Sequence, residues 1–494
     1  MNFAQMAKAT SQIKHTENGA KAYNTTGDCL LDFFSTIGAM RPRSIADIQS
    51  KFASAYKENP LLATKALFYG RDIRNGGLGE RRAFRACLKW LSDNHSEVVR
   101  KNIENIPFFG RYDDLYCLLD KDILGFNRKD VLNFIIRVLH SDIEALNEGK
   151  PITLLAKWLP SVNTSSKVTR YYANQIREYI GINEKTYRKT LSVMRNYIKV
   201  TEKLISAKQW GKIEYEKVPS YAMKNYNKAF LKQDRERFLR YLEDLKSGEK
   251  KINASTLYPY DLVHKYSSVY FYGNNAKIDP VTEAQWNALP NYVEGENNII
   301  VMADVSGSMY GRPIETSIGL ATYFAQRNHG DYHGLYMTFS VTPHFINISN
   351  FTSLYDCVKH ISQTDIGYST NLEGAFDYLL KHAVAYNIKP KDMPKAIVVI
   401  SDMEINRYQN QRYFDFLSAI KTKFCLHGYT CPKLIMWNVE ARQDTFLSQS
   451  EDVIYVGGQS ASIFKKLCGS LEGKTAYDFM LDTLNAEVYN RVTV

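Results

Sequence analysis

The chain has 494 residues, 45% of them hydrophobic and 13% aromatic, with a net charge of +11. That length exceeds what one hydrophobic core serves, so two or three domains are expected, and the apolar content excludes a disordered chain. No apolar run is long enough to span a bilayer, and the opening residues carry no signal-peptide core, so the expectation is a cytoplasmic protein with no membrane partner.

From about residue 28 to 270 the apolar spacing is helical. Leu30, Phe33, Phe34 and Ile37 share a face, as do Ala83, Phe84, Cys87, Leu88 and Leu91, with Trp90 beside them. Val131, Phe134, Ile135 and Val138 repeat the pattern. Breaks fall at Pro42, Asn75-Gly-Gly77, Pro107, Pro151, Pro160, Pro219 and Gly248. This reads as a series of helical pairs, each too thin to bury its own face; stacking would bury those faces and leave a curved surface. Residues 274–298 read as a connection, part of which packs through Trp286. Beyond 299 the pattern alternates strand and helix. Candidate strands are 299–304, 334–340, 343–348, 396–401, 433–438 and 452–456; candidate helices are 312–328, 353–362, 371–387, 411–423 and 476–485. Such alternation predicts a mostly parallel sheet covered on both faces, with ligands at the carboxyl ends of its strands.

Charge divides along the same line. Residues 1–300 hold 46 Lys and Arg against 33 Asp and Glu, residues 301–494 hold 17 against 19, and the window 151–250 alone holds 21 against 10. A basic segment beside a near-neutral one points to an anionic partner, nucleic acid first; a solvated, Lys-rich helix face is the plainer reading. Two clusters stand out. Arg71, Arg74, Arg81, Arg82 and Arg85 surround Asn75-Gly-Gly-Leu-Gly79. A glycine-rich turn entering a helix can offer backbone N–H groups to phosphate, although an ordinary turn with arginines paired to Asp72 and Glu80 would look the same. Lys185, Arg188, Lys189, Arg195, Lys199 and Lys203 are interleaved with Tyr187 and Tyr197. Cations and rings together suit single-stranded RNA, and an amphipathic helix in water fits equally. No nucleophile elbow or Walker loop is present, the histidines show no metal-ligand spacing, and the seven cysteines form no Cys-x-x-Cys pair, so a non-enzymatic protein without zinc is expected.

The most specific motif is Ile299-Ile-Val-Met-Ala-Asp304-Val-Ser306-Gly-Ser308-Met309, an apolar strand ending in an acid followed by alternate hydroxyls. One carboxylate and two hydroxyls suit a hard cation such as Mg²⁺. Asp402 ends a second strand, and Gly367-Tyr-Ser-Thr370 precedes a helix at the same edge. Asp304, Ser306, Ser308, Thr370 and Asp402 can therefore meet at one rim. Each has a local alternative: Thr370-x-x-Glu373 is a capping-box pattern, Ser308 could cap the following helix, and Ser401-Asp402 could be a turn.

With those residues in place, the second half resembles a von Willebrand factor A domain with a metal-ion-dependent adhesion site. The resemblance implies Mg²⁺ held by the five residues, with a position open to an oxygen from an acidic protein partner. The whole chain, through Arg71-Asp-Ile-Arg-Asn-Gly-Gly-Leu-Gly-Glu80, Gly110-Arg-Tyr-Asp-Asp-Leu115, Ala156-Lys-Trp-Leu-Pro160, Trp210, Val218-Pro-Ser220, Ala229-Phe230 and Ile252 to Pro259, resembles a family of unknown function found in plants, fungi, bacteria and large viruses. That family is similar in build to the Ro ribonucleoproteins. The implied fold class is α plus α/β: a HEAT-like helical-repeat TROVE module at 1–273, a connection at 274–298 and a Rossmann-like A domain at 299–494. The implied function is RNA binding by the basic helical module, with the A domain completing a ring or engaging a partner. The alternatives are a metal-dependent protein adaptor and a structural or virion component without RNA.

Overall fold

Short capping signals set the helices of the first half. Ser44 accepts from the Asp47 amide to open helix Ile45–Glu58, and Asn59 accepts from the Leu62 amide with Pro60 at the first position of helix Pro60–Arg71. Each helix then turns one apolar stripe inward; Ile48, Phe52, Ala55 and Tyr56 are the buried residues of the first. The computed structural model describes residues 12–274, 276–295, 297–338, 343–364, 370–406, 416–449, 453–469 and 473–494. Up to helix Ser267–Tyr272 the chain is helical apart from a short hairpin, β1 (Ile13–His15) and β2 (Lys21–Tyr23).

The second half is a mixed six-stranded sheet of β3 (Ile299–Ala303), β4 (Leu335–Thr338), β5 (His344–Asn347), β6 (Ala396–Ser401), β7 (Lys433–Asn438) and β8 (Ile454–Gly457). Their order is β5-β4-β3-β6-β7-β8, with β5 antiparallel to β4 and every other pair parallel. Every residue of β3 and β6 is buried, as expected for central strands covered on both faces. The chain runs outward from β3 through β4 to β5, then crosses back to place β6 on the other side of β3. The order therefore reverses between β3 and β6, the position where open α/β sheets bind ligands. The five helices expected here are Arg312–Arg327, Leu354–Ser362, Leu372–Ala385, Phe416–Leu426 and Ala476–Leu484. Of the expected elements, residues 339–340, 411–415 and 452 lie outside the described residues, as do Gly367 to Ser369.

Both ends of the helical region pack on the sheet domain. Helix Cys29–Thr36 lies against β8 and helix Ala476–Leu484, while helix Pro259–Val263 lies along helix Arg312–Arg327. The first seam is tight: a Cβ on Gly38 would collide with the Gly457 carbonyl, and one on Gly457 with that of Ser35. The second carries a His264–Glu315 contact of 2.7 Å. One apolar core runs from Phe33 and Phe68 to Trp437 and Phe464, joining the two parts.

Packing also cuts across the boundaries at 273 and 299. The hairpin joins the sheet domain, where the Tyr23 and Phe446 backbones exchange hydrogen bonds and Ala20 and Ala22 are fully buried. In return, Tyr489 donates to Asp72 at 3.0 Å, and Asn105 donates to the Arg491 carbonyl at 3.0 Å. Among the described residues no helix is long and apolar enough to cross a membrane.

Candidate metal centre and nucleic-acid interface

Asp304 and Asp402 follow β3 and β6, so the reversal of strand order brings two acids together. Asp304 is buried; it accepts from the Ser306 amide at 2.9 Å and from the Ser401 hydroxyl at 2.5 Å. The Ser306 and Ser308 hydroxyls lie 3.2 Å apart. Asp402 accepts from the Glu404 amide at 3.2 Å through one oxygen, while its other oxygen, Oδ2, is buried with no hydrogen-bond partner. The Arg442 guanidinium stands 3.9 Å from that oxygen and donates to the Ser308 carbonyl at 2.9 Å. Burial first, and then the carboxylate of Asp304, push Asp402 up to about 7; burial also raises Asp304. Met403, next in the chain, has φ +69°, a left-handed conformation that costs a non-glycine residue energy and is found at functional turns.

Local alternatives for the hydroxyls do not hold. Helix Leu372–Ala385 is capped by Asn371, which accepts from the Gly374 amide, not by Thr370. Thr370 is fully buried; it donates to the Glu404 carbonyl at 2.7 Å and lies 3.4 Å from the Asn18 amide nitrogen. Helix Arg312–Arg327 has no side-chain cap, so Ser308 is also uncommitted there. Asp304, Ser306, Ser308 and Asp402 thus meet on two loops, and Thr370 is tied to the second of them through the Glu404 carbonyl. Two mutually repelling buried acids, an orphaned carboxylate oxygen and hydroxyls without capping duty fit an oxygen-ligated divalent cation. Among the described residues no group of three or more His, Cys, Asp or Glu is placed to hold a metal ion.

The two basic clusters, about a hundred residues apart in sequence, line one cavity of about 2080 Å³ between the helical region and the sheet domain. Its described lining holds thirteen Lys and Arg but only two Glu, Glu80 and Glu202, so its field is strongly positive. Availability is a different matter. Arg71 is buried and paired with Asp114 at 2.8 Å, an acid that also holds Arg85 at 2.8 Å. Arg74 donates to the Pro107, Phe108 and Gly110 carbonyls, and Arg82 to those of Arg41 and Arg43. Arg195 is spent on the Ala156 and Leu159 carbonyls and the Ser161 hydroxyl. Lys199 pairs with Glu214 at 2.9 Å and is absent from the cavity lining. The side chains of Arg71, Arg74, Arg82 and Arg195 are thus engaged by the protein itself, and Lys199 lies in an exposed ion pair outside the cavity lining. The glycine-rich turn is no anion cradle either, since Asp72 accepts from the Arg74 and Asn75 amides at 2.9 and 3.0 Å. Tyr187 is buried, donates to the Pro160 carbonyl and offers no stacking face.

Arg81, Lys185, Arg188 and Lys189 remain. They line the cavity, are exposed, and make no side-chain hydrogen bond or ion pair among the described residues. In helix Glu184–Tyr197, Tyr187, Leu191 and Met194 take the buried stripe, which leaves the other three cations facing out. Burial, then the guanidinium groups of Arg85 and Arg111, push Arg81 down from the usual arginine value. Sequence reading missed four further cations of the lining, of which Arg41 and Arg111 are paired with Glu80 and Asp113. Lys157 lies over the Trp158 ring at 5.5 Å, and Arg312, from the sheet domain, lies over Tyr260 at 4.9 Å. Lys157 was visible beside Trp158 in Ala156-Lys-Trp-Leu-Pro160; nothing local marked Arg312.

Comparison with known proteins gives likenesses of three kinds. Residues 298–483 match the family model of a domain of unknown function, DUF7788, and residues 16–119 and 163–298 match that of a second, DUF2828. An uncharacterized protein, L728, of Acanthamoeba polyphaga mimivirus is 29% identical over 524 residues, spanning 98% of this chain and 89% of the relative. The crystal structure of the Deinococcus radiodurans Ro (RSR) protein is similar with a TM-score of 0.46 at 14% identity, over 93% of this chain and 99% of that one.

Proposed function

We propose that this chain is a non-enzymatic, cytoplasmic RNA-binding protein of Ro-like build, with a HEAT-like TROVE module and a von Willebrand factor A domain. The observation that carries the reading is the cavity with six cations, Arg81, Lys157, Lys185, Arg188, Lys189 and Arg312, that have no acidic partner among the described residues. Cations that the fold does not use, gathered in one concave space, suit a phosphodiester backbone. Asp304, Ser306, Ser308, Thr370 and Asp402 would hold Mg²⁺, which would supply positive charge to the two buried acids. The test is to purify the protein from cells and sequence the RNA that comes with it. A discrete RNA, lost when Lys185, Arg188 and Lys189 are neutralised, supports the reading; RNA-free protein, or binding insensitive to salt, overturns it.

A second reading rests on Asp402 and Arg442. An orphaned carboxylate oxygen beside a half-exposed guanidinium suits a metal-bridged acidic residue of another protein. In that case Asp304→Ala abolishes partner capture while the helical region stays folded, and capture that survives both this change and chelation excludes it.

A further inference from the structure

The seam between helix Pro259–Val263 and helix Arg312–Arg327 ends in a feature that neither site uses. Tyr272 and Tyr310 are 68% and 66% exposed, and their hydroxyls lie 3.4 Å apart. Tyr272 is the last residue of helix Ser267–Tyr272, where Gly273 at φ +62° ends the helix. Tyr310 comes from the other side of the seam, in the loop that carries Ser306 and Ser308. Phe271 backs Tyr310 with ring centroids 4.8 Å apart. Two large rings, one from each side of an interdomain seam, are thus held together with most of their surface in water.

Arg312 lies two residues beyond Tyr310 and lines the cavity, over the ring of Tyr260. Tyr310 therefore stands two residues from a cavity cation that has no acidic partner among the described residues. Exposed aromatic faces next to cations in a groove are the means by which proteins hold single-stranded nucleic acid: the cations take phosphates and each ring takes a base, with little regard to sequence. We propose that Tyr272 and Tyr310 form a stacking platform for an unpaired nucleobase of an RNA strand whose backbone occupies the cavity, with Arg312 as the first cation inside. This rests on the RNA-binding reading above and adds a second kind of contact to it. Neutral rings add affinity without adding salt dependence, whereas the cavity cations add both.

The experiment measures binding of a labelled single-stranded oligouridylate, and of a base-free phosphodiester chain of equal length, to the full-length protein by fluorescence anisotropy. Tyr272→Ala and Tyr310→Ala each weaken oligouridylate binding by about tenfold. They leave its salt slope and binding to the base-free chain unchanged. Phenylalanine at both positions keeps wild-type affinity. Because both side chains are mostly exposed, thermal midpoints near that of the wild type confirm that the alanine variants fold. Alanine variants that bind as tightly as wild type, or that lose both probes equally, overturn the platform. Under that outcome, a Lys185/Arg188/Lys189 neutralised variant that still loses both probes leaves the RNA reading standing. Wild-type protein that binds neither probe removes both.

Discussion

The turn at 71–85 and the helix at 184–197 look alike in sequence, each a knot of positive charge, yet the fold ties up most of the first, Arg81 aside, and leaves most of the second open, Arg195 aside. In the turn, Asp114 alone holds Arg71, Arg85 and the Arg111 amide, while Arg74 and Arg82 close on backbone carbonyls. In the helix, Lys185, Arg188 and Lys189 have no protein partner among the described residues. The planar five-donor guanidinium suits multidentate structural roles, so a count of arginines overstates the charge left for a ligand. The acids show the same contrast. Asp114 has three donors, whereas Asp402 keeps a buried oxygen with none. In this molecule charge without a partner marks the candidate sites, and charge with one marks the frame.

The contrast breaks most visibly at Asp114. Asp114→Ala leaves the Arg71 guanidinium buried without its partner and costs about 3–5 kcal/mol of stability, read by denaturant unfolding. A loss below about 1 kcal/mol would mean that the turn is no more than a surface cluster. Next in size, replacing Lys185, Arg188 and Lys189 together with Gln lowers single-stranded RNA affinity on the order of a hundredfold at ~0.1 M salt and lowers the log–log salt slope by about 2. Its stability stays within about 0.5 kcal/mol of wild type, because no protein contact is lost. Divalent cation at about ten times its dissociation constant raises stability by about 1.4 kcal/mol in the wild type and not in Asp304→Asn, as followed by thermal melting. The smallest effect is that of Arg81→Gln, which removes one open cation: affinity falls about fivefold and the slope by about 0.7, with no change in melting.

The sheet domain was readable in detail because its signals are local. Runs such as Ala396 to Ile400 are wholly apolar and are followed closely by an acid, Asp402, so both the strand and a candidate ligand position are written in a few consecutive residues. The expected strands agree with β3 to β8 to within two residues at each described end. Hairpin β1–β2 escaped notice, since three-residue strands have too short a period to detect. The cavity was only half legible. Each cluster could be seen, but not that they line one cavity, because that depends on the packing of segments far apart in the chain, with Tyr112–Leu119 and Leu155–Trp158 lying between helix Arg82–Asn94 and helix Glu184–Tyr197. Nor could sequence separate Lys185 from Arg71. Whether a cation is open depends on where Asp114 lies, and that is a tertiary fact.

The exchange of segments between the two halves has a consequence for how the molecule is made. Tyr23 meets its backbone partner on the sheet domain only when Phe446 has been synthesised, and Asp72 waits for Tyr489. At about 5–20 residues per second the hairpin waits roughly 20–80 s for that contact. The helices can begin to pack during that interval, but the Gly38–Gly457 seam cannot close, so the cavity exists only after nearly all of the chain is out. A chain that stops within the sheet domain before Ser460 therefore carries Lys185, Arg188 and Lys189 without the Ser460 to Ser462 side of the cavity that the complete fold sets among its walls.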